Sequence, residues 1–438
     1  MYSDMLETLK NAWKIKDLRY KILFTLFIIL IFRIGSVIPV PFINTEALTA
    51  MFANDGVSGV ASFLTNLSAL SGGALQYGAI FAMGVTPYIN ASIIMQLLTV
   101  AIPYLERLAK EGEEGQKKIA KYTRFVTVLL GLIQGIAYFI YLSNNSCLSV
   151  TSTGAKWFAG FVAVLTLTAG SALVMWLGEQ IDEKGIGNGI SILLFAGILS
   201  RAKDAIMQLY YWVEAGEVVP VIALVLVFVL IIIFIVWMTG AERRLPVQYA
   251  KRVVGRKMYG GQNSHIPIKV NMSGVMPIIF ASSILMIPTM ILSFWSVGAE
   301  EPSWIYKVLS LFSTQGPFYA VLYFALIIAF AYFYVTIQYN PVEMANNLRK
   351  NSGSIPGIRP GQPTSDFIKK VLSRITLIGA LFLSVVAVGP IIFGLFNQTF
   401  ASVSIGGTSV LIIVGVALEV VNNLESQMMM RHYKGFLD

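Results

Sequence analysis

GVSGVASFLTNLSALSGGALQYGAIFAMGVTPYINASIIMQLLTVAIPYL, residues 56–105, contains no charged side chain. It is 50 residues long. A helix needs about 20 residues to cross roughly 30 Å of hydrocarbon, so the stretch holds either one crossing or two. Apolar spans are read near 22–42, 77–103, 125–142, 157–178, 186–203, 218–240, 272–296, 317–338, 375–395 and 408–427, ten in all. With the N-terminus inside, the six inner segments carry 5, 6, 1, 7, 6 and 2 Lys and Arg residues. Those 27 stand against Lys156, Arg201, Lys203 and Lys307 outside, with Arg33 inside the first span. A further crossing at 57–75 would invert every later loop and leave 9 basic residues inside against 22 outside, contrary to the cytoplasmic bias of Lys and Arg. Residues 57–75 are therefore expected to dip into the membrane and return. Their Gly- and Ser-rich, weakly apolar character suits a short piece shielded by protein; a loop resting on the outer surface is the alternative.

Composition agrees with a membrane location. Of 438 residues, 56% are apolar and 13% charged, half the charged share of an ordinary soluble domain. No strand-like alternation points to a barrel, so the expected fold is an all-α polytopic membrane protein of ten transmembrane helices. One cysteine, Cys147, permits no intrachain disulfide, and His265 and His432 have no nearby Cys or His partners, so neither a metal nor another cofactor is expected. The net charge of +9 fits nucleic acid or anionic lipid; its position on the inner loops favours lipid. Residues 1–21 are polar and basic, and the apolar run after them passes without a small-residue cleavage site, so they read as a retained cytoplasmic segment. Leu6, Leu9 and Trp13 beside Lys10 and Lys14 suit either a helix at the headgroups or an ordinary solvated one.

Ten spans divide into an N-terminal half, 22–206, and a C-terminal half, 207–428, followed by a tail at 429–438. Five spans per half start the second half on the opposite face, the arrangement of inverted repeats. No strong residue-level repeat is evident, so this symmetry rests on topology. It pairs the second span, with Gly84 and Pro87, with the seventh, with Gly274, Pro277 and Pro288. Paired interruptions point to a central pathway, whereas routine proline kinking is the plainer reading. Only Arg33 and Glu419 are clearly ionisable within the spans, too few for a proton relay. No GxxxxGK[ST], HExxH or GxSxG pattern occurs, so no catalyst is visible and energy is expected from a partner. A secondary transporter shares the broken helices but lacks an ion site here, and an intramembrane enzyme lacks paired carboxylates, a Ser-His pair or metal ligands. The interrupted spans instead offer Val85, Ile89, Ile279 and Ile412, either core packing or a dry constriction that blocks water by dewetting.

Several long motifs carry a resemblance. FRIGSVIPVP at 32–41, SGGALQYGAIFAMGVTPYINASIIMQLL from Ser71, GEQIDEKGIGNGISILLF from Gly178, VNMSGVMPIIFASSILMIP from Val270, PGIRPG from Pro356 and GGTSVLIIVGVALE from Gly406 resemble the SecY family of bacterial protein-conducting channels. The likeness runs from about residue 7 to the C-terminus; Ala79, where the family commonly has a small hydroxyl residue, is a minor departure.

The resemblance implies a passive channel of the bacterial plasma membrane with both termini cytoplasmic. It would pass unfolded secretory polypeptides and release hydrophobic segments sideways into lipid. It implies a pore ring of Val85, Ile89, Ile190, Leu194, Ile279 and Ile412, and a plug over about 57–75 that includes Ser62, Phe63, Leu64, Leu67 and Leu70. It implies a lateral gate between the second and third spans and the seventh and eighth, along which Pro87, Asn90, Gln134 and Ile287 lie. Two inner loops, 241–271 and 339–374, are expected to project. In the first, ERRLPVQYAKRVVGRK and GGQNSHIPIKV flank a Gly-Gly pair, the pattern of a hairpin; in the second, Pro356, Gly357, Pro360 and Gly361 stiffen a turn that presents Arg359. The resemblance implies docking of the motor ATPase SecA and of the ribosome through Arg243, Arg244, Lys251, Arg252, Arg256, Lys257 and Arg359. Ribosomal RNA would supply phosphates to these side chains, and no base-reading motif points to DNA. It further implies SecE and SecG as small partner subunits, and signal peptides and nascent chains as cargo.

Overall fold

The structure, a computed structural model, describes residues 13–54, 68, 71–145, 147–150, 152–216, 218–249, 252–254, 257–259, 263–295, 316–396 and 407–434. In the first half α1 is Lys16–Gly35, α2 Thr45–Asn54, α3 Thr86–Ala101, α4 Pro103–Lys110, α5 Glu113–Asn144, α6 Thr153–Lys184, α7 Gly189–Ser200 and α8 Ala202–Glu214. The remainder comprises α9 Val218–Gly240, α10 Met276–Trp295, α11 Pro317–Gln338, α12 Pro341–Lys350, α13 Gln362–Phe396 and α14 Gly407–Lys434. Five strands interrupt it: β1 Glu242–Tyr249, β2 Arg252–Val254, β3 Lys257–Tyr259, β4 Asn263–Lys269 and β5 Gly353–Ser354.

Among the described residues, six segments are long and apolar enough to cross a bilayer by themselves: Glu113–Asn144, Gly154–Lys184, Val221–Gly240, Pro317–Lys350, Gln362–Ile392 and Gly407–Met429. Helices α3 and α4 make a seventh only as a pair, and they bend by 100°. Proline 103 causes the bend: Ile102, before it, is pushed to φ −106°, ψ 114°, because the ring disfavours helical backbone at the preceding residue.

The expected first two spans differ from the helices found. Helix α1 starts at Lys16 and stops at Gly35, where 22–42 was expected, since Pro39 and Pro41 cannot continue a helix. The second span was expected from 77, yet α3 begins at Thr86. Residues 71–85 form an irregular buried segment whose backbone finds partners within the protein. Ile80 N–H donates to Ile38 O at 3.0 Å and Val40 N–H to Gly78 O at 2.8 Å, while Tyr138 Oη donates to Leu75 O at 2.8 Å. Non-helical backbone at membrane depth is tolerated only when satisfied in this way. Helix α7 has 12 residues where 186–203 was expected; Asn188 caps it late, and at Arg201 the chain passes into α8.

The expectation of an all-α fold is corrected by a β-structured body outside the apolar spans. Strand β1 pairs antiparallel with β4, Glu242 opposite Lys269 and Gln248 opposite Asn263. The inner pair keeps the same register, Arg252 opposite Tyr259 and Val254 opposite Lys257; the Gly-Gly pair at 260–261 lies outside the described residues. Strand β1 also pairs with β5 through Gln248–Ser354 and Tyr249–Gly353, which makes the sheet order β4-β1-β5. The two loops are thus one body around Leu245, Val247, Ile268, Leu348, Ile355, Ile368 and Leu372. The alternation of Leu245 and Val247 with exposed neighbours carries that pairing.

Candidate functional site

The largest apolar cluster joins the two halves of the chain. It contains Val85, Ile89, Leu194, Ile279 and Ile412 as buried members and Ile190 as a partly buried neighbour. All six candidate ring residues therefore meet in one core. They come from four helical openings. Val85 and Ile89 stand at the start of α3, Ile190 and Leu194 on the first turns of α7, Ile279 on the first turn of α10, and Ile412 in the second turn of α14.

The openings of α3 and α10 share local chemistry. Gly84-Val85-Thr86-Pro87 and Gly274-Val275-Met276-Pro277 read G-V-x-P in both halves. Gly84 has φ +53° and Gly274 φ +60°, a left-handed conformation that a glycine adopts without steric cost. The proline follows as an early helical residue, where its missing N–H breaks no bond. The valine carbonyl then accepts the first helical bonds: Val85 O from Tyr88 and Ile89, both at 3.1 Å, and Val275 O from Ile278 at 3.2 Å and Ile279 at 3.3 Å. Ile89 and Ile279 hold equivalent positions and have the same 8% exposure. Val275, 8% exposed and in the same cluster, is the counterpart of Val85; sequence reasoning missed it although the four-residue repeat marks it.

Helix α7 is positioned by two polar contacts. Asp182 Oδ1 accepts from Gly189 N–H at 2.7 Å, and Asn188 Oδ1 from Ser191 N–H at 3.0 Å, so the first N–H groups of α7 are satisfied. Glu179 accepts from Arg124 Nε at 2.8 Å, which ties α6 to α5. Ile190 rests against Gly178 of α6, where an added Cβ would stand 2.6 Å from its Cδ1. Ile190 is thus the peripheral member of the six.

The other candidates fall in three places. Ser62, Phe63, Leu64, Leu67 and Leu70 lie outside the described residues, as do Lys251 and Arg256. Pro87 is buried and Asn90 half-buried on α3, Gln134 half-buried on α5, and Ile287 exposed by 50% on α10. Helix α10 touches both α3 and α5, the helices that carry the other three of these residues. No hydrogen bond among the described residues joins Asn90 to Gln134. Arg243 and Arg244 are exposed on β1, with Arg244 Nε 2.7 Å from Glu242 Oε1. Arg252 opposes Tyr259 and Lys257 opposes Val254 in the hairpin. Arg359 is exposed in a turn between Gly357, φ +80°, and Gly361, φ +105°, closed by Ile358 N–H to Ile355 O at 3.1 Å. The sheet carries the hairpin and this turn on one body.

The sequence profile of the SecY family matches residues 79–421. The protein translocase subunit SecY of Streptomyces scabiei is 44% identical over 450 positions, covering 99% of this chain and 100% of its own. That of Bacillus subtilis is 43% identical over 444 positions, with the same two shares. A solved structure described as a protein conducting channel aligns with a TM-score of 0.65 at 16% identity, over 94% of this chain and 92% of its own. Sec61 in a canine ribosome-channel complex from the endoplasmic reticulum gives 0.59 at 16%, over the same shares. The structural likeness speaks for the fold; identity above two-fifths over almost the whole length of both chains speaks for descent, and the chain belongs to the SecY family.

Proposed function

We propose that this multi-span membrane protein is a gated protein-conducting channel with ten crossings: α1, α3, α5, α6 and α7 in one half and α9, α10, α11, α13 and α14 in the other. One observation carries the reading. Two helices, one per half, open with the same G-V-x-P turn and deliver Ile89 and Ile279 to one dry aliphatic cluster with Leu194 and Ile412. Such a ring excludes water and ions when closed. Its side chains offer no hydrogen-bonding groups, so a passing polypeptide is held only by weak, deformable contacts. The short helices α3 and α7 do not need to face lipid along their length, because both line the buried cluster.

In this reading residues 57–75 form the plug, and the junction bordered by Pro87, Asn90, Gln134 and Ile287 opens sideways. Hydrophobic segments leave through it because burying apolar area in lipid is favourable by about 25 cal/mol per Å², while polar segments continue outward. Sorting is partition without chemistry, and the driving force comes from a partner. The body formed by β1–β5, with Arg243, Arg244, Lys251, Arg252, Arg256, Lys257 and Arg359, is the docking surface for the ribosome and the SecA motor, and SecE and SecG complete the assembly. The expected location is the bacterial plasma membrane, anionic lipid facing the inner basic loops and both termini cytoplasmic.

Photo-crosslinking a stalled nascent chain from positions 89 and 279 tests the reading. Cargo adducts at both are expected. Their absence, with adducts elsewhere along the bundle, would overturn it.

A further inference from the structure

Helix α8 leaves the end of α7 without a linker. Arg201 joins Ser200 to Ala202 in helical backbone, φ −85° and ψ −5°. At the other end Ala215 N–H donates to Tyr211 O at 2.9 Å and Gly216 N–H to Val213 O at 3.1 Å, and Gly216, at φ +89°, turns the chain toward α9 in a conformation open to glycine. The 13 residues of α8 rise about 20 Å, short of roughly 30 Å of hydrocarbon, so this helix does not cross.

Its side chains fall into three rows of the same i, i+4, i+7 spacing, each along one side of the helix. Ala205, Leu209 and Trp212 are the covered row, the first buried and the others half-buried, where α8 touches α7 and α9. Asp204, Gln208 and Tyr211 make a polar row. Ile206, Tyr210 and Val213 make an apolar one, exposed by 65%, 62% and 44%. With 3.6 residues per turn, the apolar row lies beside the covered row and about 160° from the polar one. Packing within the chain thus leaves an aliphatic and aromatic edge bare.

Its surroundings say what covers it. The chain runs from this row into α9, whose Ile222, Leu226 and Leu230 are exposed on a segment long and apolar enough to cross a bilayer by itself. Tyr210 combines an apolar ring with a polar tip, a shape suited to the headgroup boundary. The cations point the same way. Arg201 and Lys203 stand at the N-terminal end of α8, where the helix dipole favours the carboxylate of Asp204 and disfavours positive charge; lipid phosphates outside the helix offset that cost.

We propose that α8 is an interfacial anchor that lies along the outer leaflet, with Ile206, Tyr210 and Val213 bedded at the boundary of headgroups and acyl chains. It thereby fixes the outer end of α7, the helix that carries Ile190 and Leu194. The inference rests on the ten-crossing reading above, which puts this end of α7 outside.

The test uses the full chain with its partner subunits in vesicles of phosphatidylethanolamine and phosphatidylglycerol. In a Cys147→Ser background, nitroxide labels are placed on single cysteines that replace residues 204–213 one at a time. Accessibility is read to oxygen, which concentrates in lipid, and to a water-soluble nickel chelate. The expected pattern repeats about every 3.6 residues, with oxygen exceeding nickel at 206, 210 and 213 and the reverse at 204 and 211. Nickel access at both rows would mean a solvated helix, and access of neither reagent at 206, 210 and 213 would mean cover by protein; either overturns the anchor. Tyr210→benzoylphenylalanine carries the test if the labelled variants do not assemble: lipid adducts on illumination are expected, and their absence would overturn the anchor. Lys203→Cys, treated with an impermeant maleimide, is expected to react from the outer side of oriented vesicles. Reaction only from the inner side would overturn the ten-crossing reading; outer reaction without the periodic pattern would overturn the anchor alone.

Discussion

Ile89 and Ile279 are the sharpest place to perturb the closed state, because they occupy equivalent positions after matched turns and share 8% exposure. Changing either to alanine removes three buried carbons from a ring that has no polar group to admit water gracefully. Loss of a large buried aliphatic costs about 2–5 kcal/mol. In the resting state that cost falls on the closed ring, since an open ring no longer buries the side chain. A shift of about 2 kcal/mol multiplies the open population about thirtyfold. Ile89→Val and Ile279→Val cost about 0.5–1.5 kcal/mol each and are expected to leak in proportion. The assay is chloride flux from liposomes holding the assembled complex, without cargo or motor. Position 89 and position 279 are expected to give like increases, graded Val below Ala, and the double alanine variant less than the product of the two, because neighbours in one cluster do not add. A leak from one position with none from the other would refute the symmetric ring. No leak from either, with the complex intact, would refute the ring altogether.

Three other outcomes test separate parts of the structure. Cys147 is 1% exposed and burial raises its thiol above the ordinary range, so the reactive thiolate is scarcer at pH 8 than for a free cysteine. Maleimide labelling of the folded protein is expected to be slow, to rise with pH and to jump on denaturation; equal rates before and after denaturation would count against the packing around it. Tyr138→Phe removes the hydroxyl bond to the Leu75 carbonyl at 2.8 Å, leaving that oxygen only Gly78 N–H at 3.2 Å, and is expected to lower stability by about 0.5–1.5 kcal/mol, seen as earlier thermal unfolding; an unchanged transition would show that the Gly78 bond suffices. Val247→Asp places a carboxylate at a site 1% exposed in the body formed around β1, β4 and β5. It is expected to abolish ribosome or motor binding while resting flux stays unchanged, because that core is separate from the ring; a leak would show that the two are coupled.

Much of this fold was legible in the sequence because a bilayer imposes simple rules. Length and hydropathy located the long helices; the dip expected at 57–75 lies mostly outside the described residues. Where the helices begin was harder to read. The start of α3 at Thr86 rather than 77 depends on residues 71–85 finding partners in Ile38, Val40 and Tyr138, contacts between distant parts of the chain that hydropathy does not encode. The union of the two inner loops was missed for the same reason: β1 and β5 are far apart in sequence, and a two-residue strand such as Gly353–Ser354 leaves no periodic signal. Arg33 drew attention as a charge inside a span, but its partner is a backbone carbonyl, which has no letter in the sequence.

The four-residue turn that opens α3 and α10 links the fold to gating. A glycine in the left-handed region followed by a valine and a proline forms a compact corner from which a helix can start without a preceding helical turn. Each corner sets its isoleucine five residues after the glycine, so the two isoleucines enter one cluster from opposite halves rather than along one continuous helix. In the proposed channel the halves would separate at the α3–α10 contact without unravelling either helix, since the two helices start independently. A ring built on one helix could widen only by breaking its backbone ladder. In the proposed channel, a ring split between two independently started helices would widen by rigid movement of the halves and lose only apolar contacts, which a threading peptide would replace with its own. Removing the corners while keeping the isoleucines separates these possibilities. Gly274→Ala strains the turn at φ +60°, where a side chain is disfavoured, and is expected to slow transport even with resting flux unchanged. Normal transport in that variant would place the hinge elsewhere.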